Sequence, residues 1–169
     1  MNVRRALVVA LALVAGPAFA DFADGWRAYR AGDETAAFAA WLPLARRGDL
    51  DALYDVATLY ESGRGVARSP ARALSLYRRA AARGLAMAEF RLGQLYETGT
   101  GVEADLEKAL GWYRKAADAG LAEARFNLAV AYEEGRGTAP DLGKAARLYL
   151  AAAAQGLAAA EHNLGRLHL

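Results

Sequence analysis

The chain has 169 residues, 21 lysines and arginines against 19 aspartates and glutamates, and no cysteine. That length bounds it to one domain, and the near-neutral balance argues against a nucleic-acid binder, which normally carries a basic surplus. Without cysteine there is no disulfide framework, no thiol chemistry and no cysteine-ligated zinc.

The first twenty residues stand apart. Arg4 and Arg5 precede an apolar run from Ala6 to Ala15, which Gly16 and Pro17 break, and Ala18-Phe19-Ala20 offers the small residues a signal peptidase accepts. This is the layout of a cleavable secretory signal, with Asp21 as the mature N-terminus. The apolar run is too short to span a bilayer, so no stable membrane insertion is expected after cleavage and the mature chain is placed in the periplasm. Two arginines and no acid lie in this segment, so the remainder balances at 19 against 19.

From residue 22 onward a period dominates. Gly48, Gly84, Gly120 and Gly156 are spaced by 36, and so are Tyr60, Tyr96 and Tyr132, and Tyr77, Tyr113 and Tyr149. The pairs Gly63/Gly65, Gly99/Gly101 and Gly135/Gly137 keep the same register. Each unit reads as two helices. Residues 22–48 form a degenerate opening pair, with Trp41 at the position of Tyr77 and Gly32-Asp33 as its turn. In the first full unit (about 49–84), a helix from about Asp51 to Ser62 carries Ala52, Val56, Leu59 and Tyr60 inward. A Gly-x-Gly break follows. The second helix starts at the Ser69 cap with Pro70 at its first position, buries Ala73, Leu76, Tyr77 and Ala80, and stops at Gly84. Units 85–120 and 121–156 repeat this, with Asp105 and Asp141 as caps. Residues 157–169 supply a lone last helix. Gly93 and Gly165 sit inside first helices, where close helix–helix approach is the expected gain.

The chemically suggestive stretches recur with the repeat and so read as scaffold. Gly99-Thr100-Gly101 lacks the lysine of a phosphate-binding loop. Trp112, Tyr113, Arg114 and Lys115 could stack bases, but Tyr113 falls at the packing phase of its helix. His162 and His168 are six apart, whereas ligands on one helical face want a spacing near four; both fall at core registers. Glu133 and Glu134 are adjacent and cannot flank one bond as a glycosidase pair. Ser62, Ser69 and Ser75 have no partnering base. Neither a catalytic site nor a cofactor or metal is expected.

Residues 88–120 carry Ala88, Leu92, Gly93, Tyr96, Gly99, Gly101, Val102, Asp105, Lys108, Ala109, Trp112, Tyr113, Lys115, Ala116, Ala117 and Gly120. This pattern resembles the Sel1-like repeat, a relative of the tetratricopeptide repeat. The resemblance departs at Ser69, Thr138, Leu76 and Leu148, which weakens single units. It implies an all-α, right-handed α-solenoid that binds other proteins, often as an adaptor in the bacterial envelope. Some relatives are linked to β-lactam or muropeptide binding, which makes an envelope hydrolase or cell-wall-fragment binder the alternative; those forms are cysteine-rich. A monomeric scaffold with a protein partner is the expectation. Its partner surface is expected on the concave face lined by first helices, on a polar stripe that changes from unit to unit: Asp55, then Arg91 and Gln94, then Asn127, then Asn163 and Arg166, flanked by Asp51, Thr58, Met87, Glu123 and Val130. These positions avoid the core, so Arg91→Ala with Asn127→Ala is expected to leave melting almost unchanged while weakening partner capture.

Overall fold

The computed structural model describes residues 21–167; residues 1–20, where a secretory signal is expected, and His168 and Leu169 lie outside them. The described residues form helices only: α1 (Phe22–Arg30), α2 (Glu34–Arg47), α3 (Leu50–Ser62), α4 (Pro70–Ala81), α5 (Ala86–Thr98), α6 (Leu106–Asp118), α7 (Ala122–Glu134), α8 (Leu142–Ala153) and α9 (Ala158–Arg166). Each packs mainly on its neighbours in sequence, so the pairs stack as an all-α solenoid with short-range connectivity.

The glycine pairs explain how the stack is spaced. The first of each pair ends a first helix in the left-handed conformation, as at Gly99 with φ 71°. The second also has positive φ and lies against the start of the preceding second helix. A Cβ on Gly65 would stand 2.3 Å from the Glu34 carbonyl carbon; on Gly101, 2.7 Å from that of Pro70; on Gly137, 2.7 Å from Leu106 Cβ. Those three neighbours are themselves 36 residues apart. The loop is therefore a unit-to-unit joint that only glycine permits. It closes with the amides of Ser69, Asp105 and Asp141 donating to the carbonyls of Tyr60, Tyr96 and Tyr132 at 2.7–2.8 Å.

Asp105 and Asp141 cap their helices, accepting from the Lys108 and Lys144 amides at 2.9 and 2.8 Å. Ser69 holds the cap position with Pro70 behind it but makes no side-chain cap bond. In α4 the leucine that is buried outright is Leu74, while Leu76 is half-buried. Gly93 meets the expectation of close approach, since a Cβ there would lie 2.4 Å from Tyr113 Cε1. Gly165 does not, having no described atom within 4 Å of its Cβ direction. The same holds for His162: at its register Tyr54, Phe90 and Phe126 pack on Tyr77, Tyr113 and Tyr149 at 5.6–5.7 Å, but His162 has no such ring beside it and is exposed rather than buried. Among the described residues no cluster could hold a metal ion, and no helix is long and apolar enough to cross a membrane.

The opening pair solves its packing differently. Trp41, 1% exposed, is enclosed by Phe22, Trp26 and Tyr29 at 5.7–5.8 Å, and its Nε1 donates to the Phe22 carbonyl at 3.1 Å. A Cβ on Gly25 would stand 2.1 Å from that nitrogen.

Candidate functional site

The second-helix tyrosines organise a polar seam through the stack. Tyr77, Tyr113 and Tyr149 are buried, and a buried phenol needs a partner for its hydroxyl. Each donates to Oε2 of a glutamate sixteen residues earlier on the first helix of its own unit: Tyr77 to Glu61 at 2.9 Å, Tyr113 to Glu97 at 2.6 Å, Tyr149 to Glu133 at 2.7 Å. Oε1 of each glutamate takes an arginine from further along the chain: Arg91 on Glu61 at 2.7 Å, Arg136 on Glu97 at 2.7 Å, Arg166 on Glu133 at 3.1 Å. Burial first, then the neighbouring carboxylate, pushes the Tyr113 and Tyr149 phenols up, the latter to about 12. Tyr77 is raised by burial and Glu61, against the opposing pull of Arg91. Burial works against the Arg91 charge, but Glu61 and Tyr77 together outweigh this and hold the guanidinium charged.

This seam absorbs most of the stripe proposed from sequence. Arg91 bonds Glu61 and also donates to Gln94 Oε1 at 2.7 Å. Its Nε is buried without a hydrogen-bond partner. Asn127 lies beside the Tyr113 hydroxyl and eases its upward shift, Asn163 donates to the Tyr149 hydroxyl at 3.1 Å, and Arg166 bonds Glu133. These four are engaged internally rather than free. The reason is geometric. Positions 91, 127 and 163 share one register, and that register points at the tyrosine hydroxyl of the preceding unit.

Asp55 occupies the same register in α3, but Trp41 stands where a tyrosine would, and the Asp55 carboxylate has no partner among the described residues. Burial, then Asp51 and Asp49, raise its pKa to about 6. It lines a cleft of about 260 Å³ with Phe22, Trp26, Asp51, Tyr54, Leu85 and Met87, which joins α1, α3 and the start of α5. Trp26 and Met87 are 39% and 40% exposed there. The cleft thus offers an apolar wall beside two unpaired carboxylates. Sequence reasoning placed Asp51, Asp55 and Met87 on one stripe but did not bring in Trp26 or Phe22. The other aromatic-basic candidate is scaffold: Tyr113 is 2% exposed, and Lys115 lies over the Trp112 ring at 4.2 Å.

The Sel1 repeat model matches residues 50–85, 86–121 and 122–157. Among solved structures, a Sel1 repeat protein from Oxalobacter formigenes is similar at TM-score 0.83 and 28% identity over 88% of this chain and 60% of that one. A protective antigen of uropathogenic Escherichia coli strains that displays an SLR fold is similar at TM-score 0.80 and 31% identity, over 85% of this chain and 32% of that one. The Helicobacter pylori cysteine rich protein B shares the fold at TM-score 0.60 and 17% identity, covering 85% of this chain and 96% of its own. The chain thus spans less than two thirds of the first two. No curated protein matches significantly. Three tandem matches in the 36-residue register, on a stack of helix pairs, establish that the chain belongs to the Sel1 repeat family, whose repeats generally serve as protein-interaction scaffolds.

Proposed function

We propose that the protein is a non-catalytic scaffold of the bacterial envelope that docks a protein partner on the face of its first helices, with the α1/α3/α5 cleft as the anchor point. The observation that carries this is the cleft itself, where Trp26 and Met87 stand exposed beside unpaired Asp51 and Asp55. Exposed aromatic and methionine side chains at a concavity suit a partner's apolar anchor, and two unpaired acids suit a flanking cation. The amide nitrogen of Gln94, and Arg166 with its half-exposed guanidinium, continue the same stripe toward α9. The Arg4-Arg5 head and the Ala18-Phe19-Ala20 site support export with Asp21 as the mature N-terminus, which intact-mass measurement of the cell-purified protein tests.

Docking is tested by placing a photocrosslinking amino acid at Met87 and, as control, at Leu150, which is exposed on α8. The reading predicts a discrete adduct from Met87 that is lost on Trp26→Ala. Equal adducts from both positions, or an adduct indifferent to Trp26→Ala, would refute it.

A further inference from the structure

A second concavity lies where α6, α7 and α8 meet, with a volume of about 520 Å³. Its floor is apolar, made by Ala117, Leu128 and Leu148, and its walls bring together Arg114, Arg125, Lys144 and Arg147 against one acid, Asp118. Lys144 is paired with Asp141 at 3.1 Å and lies over the Tyr132 ring. Asp141 also lies within electrostatic reach of Arg147. The side chains of Arg114, Arg125 and Arg147 make no hydrogen bond or ion pair among the described residues. Arg125 is half-buried, and a guanidinium drawn out of water without a counter-charge is unfavourable until something pairs with it. The arginines of the polar seam, by contrast, all hold a carboxylate.

The repeat supplies an internal control. Thirty-six residues earlier, the position of Arg125 is Glu89, that of Leu148 is Trp112 and that of Arg147 is Gly111. The position of Arg114 is Arg78, which donates to the Tyr96 hydroxyl at 2.5 Å. Glu89 is buried at 7% exposure, and the Trp112 indole stands where the later unit has the smaller Leu148. The same fold in the same register thus has an indole and an acid in one unit, and an open basic cleft in the next. The cleft is therefore a property of these substitutions and not of the repeat.

We propose that this cleft binds a carboxylate-bearing peptide segment of a partner protein, with acidic side chains on Arg125 and Arg147 and an aliphatic one on the Leu128/Leu148 floor. Guanidinium and carboxylate match as a two-bond pair. The volume falls within the range of small-ligand pockets and so admits a few side chains. A simple anion would have no use for the leucine floor, and a nucleic acid would find no free aromatic ring to stack on, since Tyr132 lies beneath Lys144. The site is distinct from the first-helix face. Arg125 and Asn127 are two positions apart on α7 and so point to roughly opposite sides.

The test is fluorescence anisotropy with a fluorescein-labelled peptide in which glutamates flank a central leucine, titrated with the full chain. The peptide should bind, weaken with added salt, and lose about tenfold or more in affinity with Arg125→Gln, the loss of one charge-assisted pair. Leu148→Trp, which restores the residue type of the preceding unit, should block it. Thermal melting confirms that each variant folds, and Arg147→Gln on the exposed rim gives a second reading if Leu148→Trp does not fold. Equal binding of the lysine-for-glutamate peptide, or unchanged binding by both arginine variants, would overturn the proposal. So would full displacement by inorganic phosphate at constant ionic strength, which assigns the cleft to simple anions, or tighter binding of a single-stranded oligonucleotide. Asp55→Asn should leave the peptide affinity unchanged, and Arg125→Gln should leave the Met87 adduct unchanged, so the two readings fail separately.

Discussion

The opening pair and the full units use incompatible solutions at equivalent positions, and exchanging them is a strong test of the seam. Gly25 and Trp41 stand where the later units have glutamate and tyrosine, and Asp55 stands where they have Arg91, Asn127 and Asn163. The experiment is run in an Asp55→Asn background, so that an introduced glutamate does not face a second carboxylate. Gly25→Glu alone puts a Cβ 2.1 Å from Trp41 Nε1 and 2.5 Å from two further indole atoms; displacing a packed indole should cost about 3 kcal/mol. Trp41→Tyr alone removes roughly 35 Å³ of core, worth about 0.8 kcal/mol as cavity, plus the lost transfer energy and the bond to Phe22, for about 2–3 kcal/mol in all. Independent effects would sum to about 5–6 kcal/mol. In the double variant the clash is gone and tyrosine regains an acceptor, so the net loss should be about 2 kcal/mol and the coupling about 3 kcal/mol. Urea unfolding followed by circular dichroism reads this from the midpoints at common slope. Additive losses would show that the glutamate–tyrosine bond is incidental to the packing and would sink the reasoning.

Three further outcomes follow from the same structure. Arg91→Ala combined with Asn127→Ala should lower stability measurably, by about 1–3 kcal/mol, because Glu61 loses its arginine and the Tyr113 hydroxyl its amide neighbour; unchanged urea midpoints would return both residues to the free surface. Gly101→Ala should cost clearly more than Gly120→Ala in thermal unfolding, since both have positive φ but only Gly101 has the Pro70 carbonyl within 2.9 Å of the added carbon; equal losses would remove the joint role of the second glycine. Asp55 is raised to about 6, chiefly by burial. The folded state therefore holds its proton more tightly than the unfolded one, and the contribution of Asp55 to stability is lost as pH rises from about 4 to about 6. Asp55→Asn should thus raise the melting temperature at pH 7.5 and leave it nearly unchanged at pH 3.5; an equal gain at both would refute the shift.

The units, the turns and most of the buried set were readable because they obey one rule: a residue type that recurs every 36 positions has a repeated packing job. Tyr77, Tyr113 and Tyr149 were placed in the core on that ground alone. Glu61, Glu97 and Glu133 obey the same rule and were missed, because acids on a helix read as solvated and their partner, a buried phenol, is visible only once two helices are docked. Their arginines could not be read this way. Arg91 comes from an early turn of α5, Arg136 from the loop after α7 and Arg166 from the end of α9, three different registers that reach the same carboxylate oxygen. Variation along the stripe looked like a binding surface for the same reason. Arginine stands at 91 and asparagine at 127 and 163 because either can meet the preceding unit's seam. The basic cleft had no periodic signal at all; it arises where the period is broken, at Arg125 and Leu148.

The seam crosses unit boundaries, and this bears on how such arrays grow and shrink. A whole unit inserted after residue 121 would present an arginine to Glu97 as Arg91 presents one to Glu61, while its own glutamate would meet the groups around Asn127 and Arg136. Duplication in steps of 36 therefore leaves no buried phenol or carboxylate stranded, whichever of the two side chains arrives at the join. An insertion of any other length shifts a first helix out of phase and orphans a tyrosine hydroxyl in the core. The chemistry of the junction thus permits lengthening by recombination only in whole units, and the Gly25–Trp41 pair, which holds no glutamate–tyrosine bond, stands outside that rule.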